Sequence, residues 1–361
     1  MKINIENIPN SELKPKPNSE ENLGFGRIFT DRMFIMEYKN GSWRDPTIKK
    51  FSPITLDPSA ICLHYAQEIF EGQKAYRTPD GIHINLFRPD RNAARFNSSA
   101  RRMMMPEIEP EFYLTVLKEL ITLEREWVPK NIGSSLYIRP TMIGTEAGLG
   151  VRPSTEYLFY IILSPSGPYF PEGFKCVKIY VSEHYIRAAP GGTGDVKTGG
   201  NYAASLFVAN EAEKHGCSQV LWLDAYEKRF VEEVGASNIF FVFKEEIYTA
   251  PLGSKGSGTI LPGVTRDSTI QIAQDLGYTV NEQALPIDTI IEGIYNGKTS
   301  EIFQSGTAAI IAPVGSLYYQ GKEHIINNFE VGEVSSKIYN RLIDIQYGRT
   351  EDPYGWIVQV V

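Results

Sequence analysis

Two apolar-rich runs, FTDRMFIMEY and SWRDPTIKKF, flank Asn40-Gly41. That dipeptide between strand-like runs is the strongest short hairpin signal, because both residues accept positive φ. KAYRTPDGIHINLF repeats the arrangement around Asp80-Gly81. The apolar spacing then lengthens to the helical period over two stretches. Pro89–Arg102 opens with Pro and Asp in its first turn, and residues 111–127 carry apolar residues at helical spacing. LYIRPTMIG and EYLFYIIL read as strands. SPSGPYFPEG, residues 164–173, is dense in Pro and Gly and reads as an interdomain linker.

The second half begins with a strand in KCVKIYVSEHYIRA, followed by the Gly-rich loop PGGTGDVKTGGN. Residues 202–215 predict a helix, QVLWLD a strand, and RFVEEVGASNIFFVF a strand pair. Residues 264–276 and 286–295 predict two further helices, SEIFQSGTAAIIAPV sheet elements, and residues 331–347 a last helix. Hairpins mixed with helices, without regular βαβ alternation, make an α+β arrangement. The expected division is a smaller N-terminal α/β domain, 1–165, whose first 20 residues form a loose arm. A linker, 166–175, and a larger C-terminal domain, 176–361, follow.

Composition narrows the function. Against 43 Asp+Glu stand 36 Lys+Arg, a net charge of −7 in 361 residues. A protein built to grip nucleic acid needs a basic surface, so that class is excluded. With 42% apolar and 22% charged residues the chain is globular rather than disordered. Cys62, Cys176 and Cys217 are widely spaced, with no CxxC or Cys/His cluster, so neither a disulfide framework nor a metal site is indicated. The N-terminus has no apolar signal region, and the longest apolar run, residues 157–163, falls far short of the ~20 residues of a membrane helix. The expectation is a soluble, cytoplasmic protein with no membrane partner.

Chemistry concentrates at Lys197, in GGTGDVKTGGNY. The loop is not a Walker phosphate loop, because Val196 stands where that motif needs Gly. A lysine whose amine is deprotonated by burial or a neighbouring cation forms a Schiff base with a carbonyl. A carbonyl cofactor held in this way needs a cation and N–H donors for its phosphate, a carboxylate for its pyridine nitrogen and a donor for its phenolic oxygen. Arg95, the helix start at Val264-Thr265, Glu233 and Tyr202 are candidates in turn, and the Ser305-Gly306-Thr307-Ala308 turn offers N–H groups to a carboxylate. Each also has an ordinary structural reading: a solvent-facing arginine, a capped helix, a solvated carboxylate pair, a core tyrosine. Taken singly those readings stay open.

Taken together, FGRIFTDRMF, FEGQKAYR, RPDRNAARFNSSARRM, LYIRPTMIGTEAGLGV, GGTGDVKTGGNY, EEVGASNIFF, ILPGVTRDS and SGTAAIIAPV stand in the order and spacing of one family. The chain resembles the branched-chain-amino-acid aminotransferases of pyridoxal-phosphate fold type IV. The resemblance implies a two-domain fold whose larger, pseudo-barrel-like domain carries the lysine, with pyridoxal 5′-phosphate as cofactor. It implies Lys197 as Schiff-base lysine and proton shuttle, Tyr202 on the phenolic oxygen and Glu233 on the pyridine nitrogen. Arg95, Val264, Thr265 and Thr307 match the phosphate cradle, and Thr307 with Ala308 the substrate-carboxylate turn. Phe25, Phe70, Tyr137 and Tyr169 match an aromatic pocket for a branched side chain, and Arg139 a holder of glutamate's distal carboxylate. Tyr65, Leu149 and Val151 match residues lent across a homodimer. Arg187 also stands at a motif position, with no role attached.

The implied reaction converts L-leucine, L-isoleucine or L-valine and 2-oxoglutarate into branched 2-oxo acids and L-glutamate, with ping-pong kinetics. D-amino-acid aminotransferase and aminodeoxychorismate lyase, which share the fold type, are the alternatives. A non-catalytic binding protein of the same fold is disfavoured by the presence of Lys197, Tyr202 and Glu233 together. Two positions depart from relatives. No cysteine pair follows SGTA, which argues against a thiol switch there, and Ala236 replaces the Thr that some members carry.

Overall fold

A computed structural model describes residues 1–169, 173–253 and 258–361. The chain divides into two compact units, one of residues 1–171, 196–199 and 344–361 and one of residues 172–195 and 200–343. The division is not collinear with the sequence, because two segments of the C-terminal half, one of them containing Lys197, belong to the first unit.

The first unit is built on strands β1 (Asn4–Ile5), β2 (Arg32–Lys39), β3 (Ser42–Lys50), β4 (Glu68–Phe70), β5 (Gln73–Arg77), β6 (Ile84–Phe87), β7 (Ser135–Gly144) and β8 (Tyr157–Ser166). Together with the C-terminal strand Ile357–Gln359 they form one sheet in the order β1-β3-β2-β8-β7-β5-β6-C-terminal strand, with β4 beside β7. Asn40 and Gly41 turn the first hairpin with φ of 52° and 77°, as the dipeptide requires. Helices α1 (Ile61–Tyr65), α2 (Pro89–Arg102) and α3 (Pro110–Leu123) complete the unit. The bounds of α2 are those predicted. The α3 helix starts one residue early, where the Glu109 carboxylate accepts from the N–H groups of Glu111 and Phe112. The core gathers on Phe159, whose ring lies 5.8 Å from Phe34 and 5.4 Å from Phe96.

The first 20 residues, expected as a loose arm, are tied down. β1 pairs in parallel with β3. The Lys14 ammonium donates to the carbonyls of Phe29 and Thr30, and Lys16 lies 2.7 Å from Asp31 Oδ2. The Glu20 carboxylate accepts from the N–H groups of Lys130 and Asn131. The expected linker is shorter than its composition suggested. β8 runs on through Ser166, with Pro165 opposite Leu136, and residues 170–172 lie outside the described segment.

The second unit contains strands β9 (Val177–Val181), β10 (Gln219–Leu223), β11 (Val231–Val234), β12 (Ser237–Phe243), β13 (Glu246–Thr249), β14 (Thr279–Glu282), β15 (Thr299–Gly306), β16 (Ile310–Tyr319) and β17 (Lys322–Ile325). The path β11-β10-β9-β16-β15-β12 closes on itself, because β12 also pairs with β11. Six strands thus make a barrel, with no free edge in the ring. Ile179, Leu221, Ile239, Phe241, Ile302 and Leu317 lie in its core. Helices α4 (Gly199–Ala203), α5 (Leu206–Lys214), α6 (Val264–Asp275), α7 (Ile287–Tyr295) and α8 (Glu333–Gln346) follow in sequence. The single helix predicted over 202–215 is broken, because both the N–H and the hydroxyl of Ser205 bond the Tyr202 carbonyl. Among the described residues no helix is long and apolar enough to cross a membrane.

Candidate active site

In the first unit, α2 and the segment between β4 and β5 meet the Lys197 loop. Arg95 and Ser99 stand one turn apart on α2. Ser99 Oγ accepts from the Lys197 N–H at 3.1 Å, and the Lys197 carbonyl accepts from the Phe70 N–H at 3.0 Å. Thr198 Oγ1 donates to the Glu68 carbonyl. The lysine is therefore held from both sides by backbone bonds, and its ammonium lies 5.0 Å above the Phe70 ring.

Glu71, between Phe70 and Gly72, is completely buried. Its carboxylate takes Nε and Nη2 of Arg95 at 2.7 and 2.9 Å, and the amide of Asn92 at 2.8 Å. Burial would raise this carboxyl; Arg95, Lys197 and Asn92 outweigh it and hold the group below its usual value. Arg95 is thus a buried, fixed cation and not the solvent-facing arginine that spacing allowed.

Phe70, Arg139, Tyr137 and Phe25 lie next to one another in the first unit. Arg139 lies 4.7 Å over the Phe70 ring and donates to the Tyr137 hydroxyl at 3.0 Å. Phe25 meets Tyr137 edge-on at 4.7 Å. Gly72 makes room for this, since a Cβ there would stand 2.1 Å from the Tyr137 hydroxyl. Lys74, directly opposite Tyr137 in the sheet, is a further buried cation, and burial lowers its ammonium to about 8. Tyr65, Leu149 and Val151 form a separate, exposed group. The Tyr65 hydroxyl bonds the Leu149 carbonyl, and Leu149 and Val151 are 64% and 85% exposed. Tyr169 is exposed at the edge of the described segment.

In the second unit, Asn238 stands beside Glu233, the residue before α6 and the strand leading to Thr307. Glu233 lies opposite Asn238 across the Gly235-Ala236 turn, and Asn238 lies opposite Ser305, two residues before Thr307. The Asn238 amide donates to the Leu261 carbonyl at 3.1 Å. The Leu261 N–H donates to Glu233 Oε1. Gly263, the residue before α6, leaves room for Asn238, since a Cβ would stand 2.1 Å from its Oδ1. Strand alternation required one of Glu232 and Glu233 to face inward. Glu233 does so at 1% exposure, while Glu232 receives the Thr259 hydroxyl.

Tyr202 lines a cavity of about 180 Å³ with Arg187, Gln219, Trp222 and Ala236. Gln219 explains the glycine before Ala236, since a Cβ on Gly235 would stand 2.0 Å from its Oε1. The α6 helix begins with no side-chain cap bond, so its first N–H groups suit an anion. A buried carboxylate, an uncapped helix start and a tyrosine beside a cavity fit a ligand that has a phosphate, a basic ring nitrogen and a phenolic oxygen.

Sequence reasoning missed Glu71, Lys74, Ser99 and Asn238. Ser99 was accessible as the residue one turn after Arg95, and Asn238 as the partner of Glu233 across a two-residue turn. Glu71 gave no signal beyond its place in FEG.

A profile of the amino-transferase class IV family matches residues 68–317. The chain is 48% identical over 349 residues to branched-chain-amino-acid transaminase 1 of Bacillus subtilis (strain 168), across 96% of each chain. Its fold is similar to that of the branched-chain amino acid aminotransferase of Escherichia coli, with a TM-score of 0.76 and 28% identity, over 92% of this chain and 99% of that one. It is also similar to a second solved branched-chain amino acid aminotransferase, from T.th., complexed with N-(5′-phosphopyridoxyl)-L-glutamate. There the TM-score is 0.72 at 26% identity, over 90% and 98% of the two chains.

Proposed function

The chain belongs to the class IV amino-transferase family, and from that premise we propose that it transfers the amino group of L-leucine, L-isoleucine or L-valine to 2-oxoglutarate. The products are the branched 2-oxo acid and L-glutamate, and the cofactor is pyridoxal 5′-phosphate. When bound, that cofactor supplies an aldehyde for an amine and a ring that takes up negative charge. The solved relative's ligand joins a phosphopyridoxyl group to glutamate, which supports both the cofactor and the second substrate.

The side chains support the following roles. The Lys197 amine would hold the cofactor's aldehyde, and its Nζ would carry the substrate proton, a general-base contribution of ~10²–10⁴-fold. Arg95, Thr265 and Thr307, with the N–H of Val264, bind the phosphate. Glu233 accepts the pyridine N–H, and Tyr202 donates to the phenolic oxygen. The Thr307-Ala308 turn takes the substrate carboxylate. Phe25, Phe70, Tyr137 and Tyr169 cover the branched side chain, and Arg139 takes the distal carboxylate of glutamate. Tyr65, Leu149 and Val151 serve the pocket of a second copy in a homodimer, a reading supported by their exposure. The active species is then a cytoplasmic dimer.

The observation that carries the substrate class is the Phe70 ring. It has a lysine at 5.0 Å, an arginine at 4.7 Å and a tyrosine hydroxyl bonded to that arginine. A wall of this kind buries methyl groups and still offers a cation to a carboxylate. One methylene more or less in such a pocket changes binding by only ~1–3 kcal/mol, so several branched acids are accepted. A panel of L-leucine, L-isoleucine, L-valine, D-alanine and aminodeoxychorismate tests the reading. Turnover of the three L-acids with 2-oxoglutarate supports it. Preference for either of the last two assigns the chain to another activity of the fold type.

A further inference from the structure

A buried carboxylate needs a positive partner. A pyridinium is one candidate partner for Glu233, and this chain carries another of its own. Arg187 Nε lies 3.1 Å from Glu233 Oε2, and the two side chains are 5% and 1% exposed. The same guanidinium donates through Nη1 to the carbonyls of Gly194, at 3.1 Å, and Thr259, at 2.8 Å. One planar cation thus joins three pieces of chain: β11, the segment leading to α6, and the loop three residues before Lys197. Gly194 allows the close approach, since a Cβ there would stand 2.5 Å from the Thr259 carbonyl oxygen and 2.7 Å from Ala188 Cβ. Thr259 is in turn tied to Glu232, and Leu261, two residues on, to the other oxygen of Glu233. Arg187 also lines the cavity beside Tyr202.

We propose that Arg187 is a positioning residue that sets the orientation of the Glu233 carboxylate through their ion pair and, with its two carbonyl bonds, fixes the backbone entering the Lys197 loop. The inference rests on the proposed role of Glu233 toward the cofactor's ring nitrogen. Only arginine does this work. Its guanidinium serves one carboxylate and two carbonyls at once, whereas a lysine ammonium supplies a point charge on a flexible stem. The role is distinct from that of Arg95, which is proposed to meet the phosphate.

Two measurements test it with Arg187→Gln and Arg187→Lys. The first is hydrogen exchange on the cofactor-free protein. Both variants raise exchange at the amides of residues 191–195 and 259–261 by tenfold or more and leave β7 and β8 unchanged; unaltered exchange in those segments overturns the clamp. The second is a cycle on the loaded protein. Normalised to bound cofactor, Arg187→Gln lowers kcat for L-leucine by tenfold or more with KM within threefold. In a Glu233→Gln background the same change costs less than threefold further, because Arg187 acts through Glu233. Equilibrium dialysis with pyridoxal 5′-phosphate shows affinity reduced about tenfold in Arg187→Gln, with partial recovery at most in Arg187→Lys. Full additivity with Glu233→Gln overturns the positioning role while leaving the transaminase reading intact. If the wild-type protein does not bind pyridoxal 5′-phosphate, the reading itself fails, and the exchange result still decides the clamp.

Discussion

Replacing Glu71 by Ala removes a fully buried, multiply bonded carboxylate from the first unit. The carboxylate is inaccessible and accepts from Arg95 twice, from the Asn92 amide and from the Gly72 N–H at 3.1 Å. Removing it leaves the Arg95 guanidinium, 8% exposed, without its carboxylate. Breaking a buried pair from one side costs ~3–5 kcal/mol, and the unfilled volume adds to this. Glu71→Gln keeps the shape and part of the bonding, so its loss is smaller. Urea titration at pH 7 reads the difference as a midpoint shift at constant slope. The double variant Glu71→Ala/Arg95→Met removes the stranded charge and recovers part of the loss, a positive coupling in the cycle. The pH dependence follows from the lowered carboxyl. A depressed folded value makes the Glu71 contribution complete above the usual carboxyl range and removes it as pH falls through the folded value. A Glu71→Ala loss below ~1 kcal/mol, the scale of an exposed pair, would refute the burial argument and the claim that Arg95 is held fixed.

Lys74 gives a pH dependence of the same sign in a higher window. Its ammonium is lowered to about 8 from 10.5 by burial, so between those values the unfolded chain binds more protons and stability rises with pH. Lys74→Met should abolish that rise in urea midpoints from pH 8 to 10; an unchanged slope contradicts the assignment. Gly72→Ala drives a methyl into the Tyr137 hydroxyl. It should cost ~1–3 kcal/mol in stability and raise KM for L-leucine roughly tenfold through the displaced ring; wild-type KM would show that Tyr137 does not bound the pocket. Arg139→Leu should raise KM for 2-oxoglutarate by about tenfold or more while KM for L-leucine stays within threefold, since only the diacid loses a charge-assisted bond. Equal losses for both substrates would assign Arg139 to the shared carboxylate instead.

Local chemistry was the part of the fold that the sequence expressed most clearly. Asn40-Gly41 and Pro89 each act within a few residues, and the structure follows both, whereas the helix expected over 111–127 ends at Leu123. The barrel closure was not legible, because pairing of β9 with β10 and β16 joins strands far apart in sequence. The short strands β13, β14 and β17 escaped for lack of a hydrophobic run of their own. The N-terminal arm misled because its polar, Pro-rich composition hides specific lysine-to-carbonyl bonds. At the candidate site, residues that a motif marks were legible in the sequence and those that a partner marks were not. Glu71 and Asn238 owe their importance to Arg95 and Glu233, and nothing local distinguishes a glutamate that meets an arginine from one that meets water.

The central claim concerns Lys197 as the cofactor-bearing lysine of a branched-chain transaminase. The most direct measurement is the visible absorbance of the protein after pyridoxal 5′-phosphate is added and excess removed, before and after L-leucine and without 2-oxoglutarate. The account predicts a band for the lysine-bound cofactor that L-leucine discharges, that 2-oxoglutarate restores and that Lys197→Ala lacks. A Lys197→Ala protein that keeps the band and its response to L-leucine contradicts it.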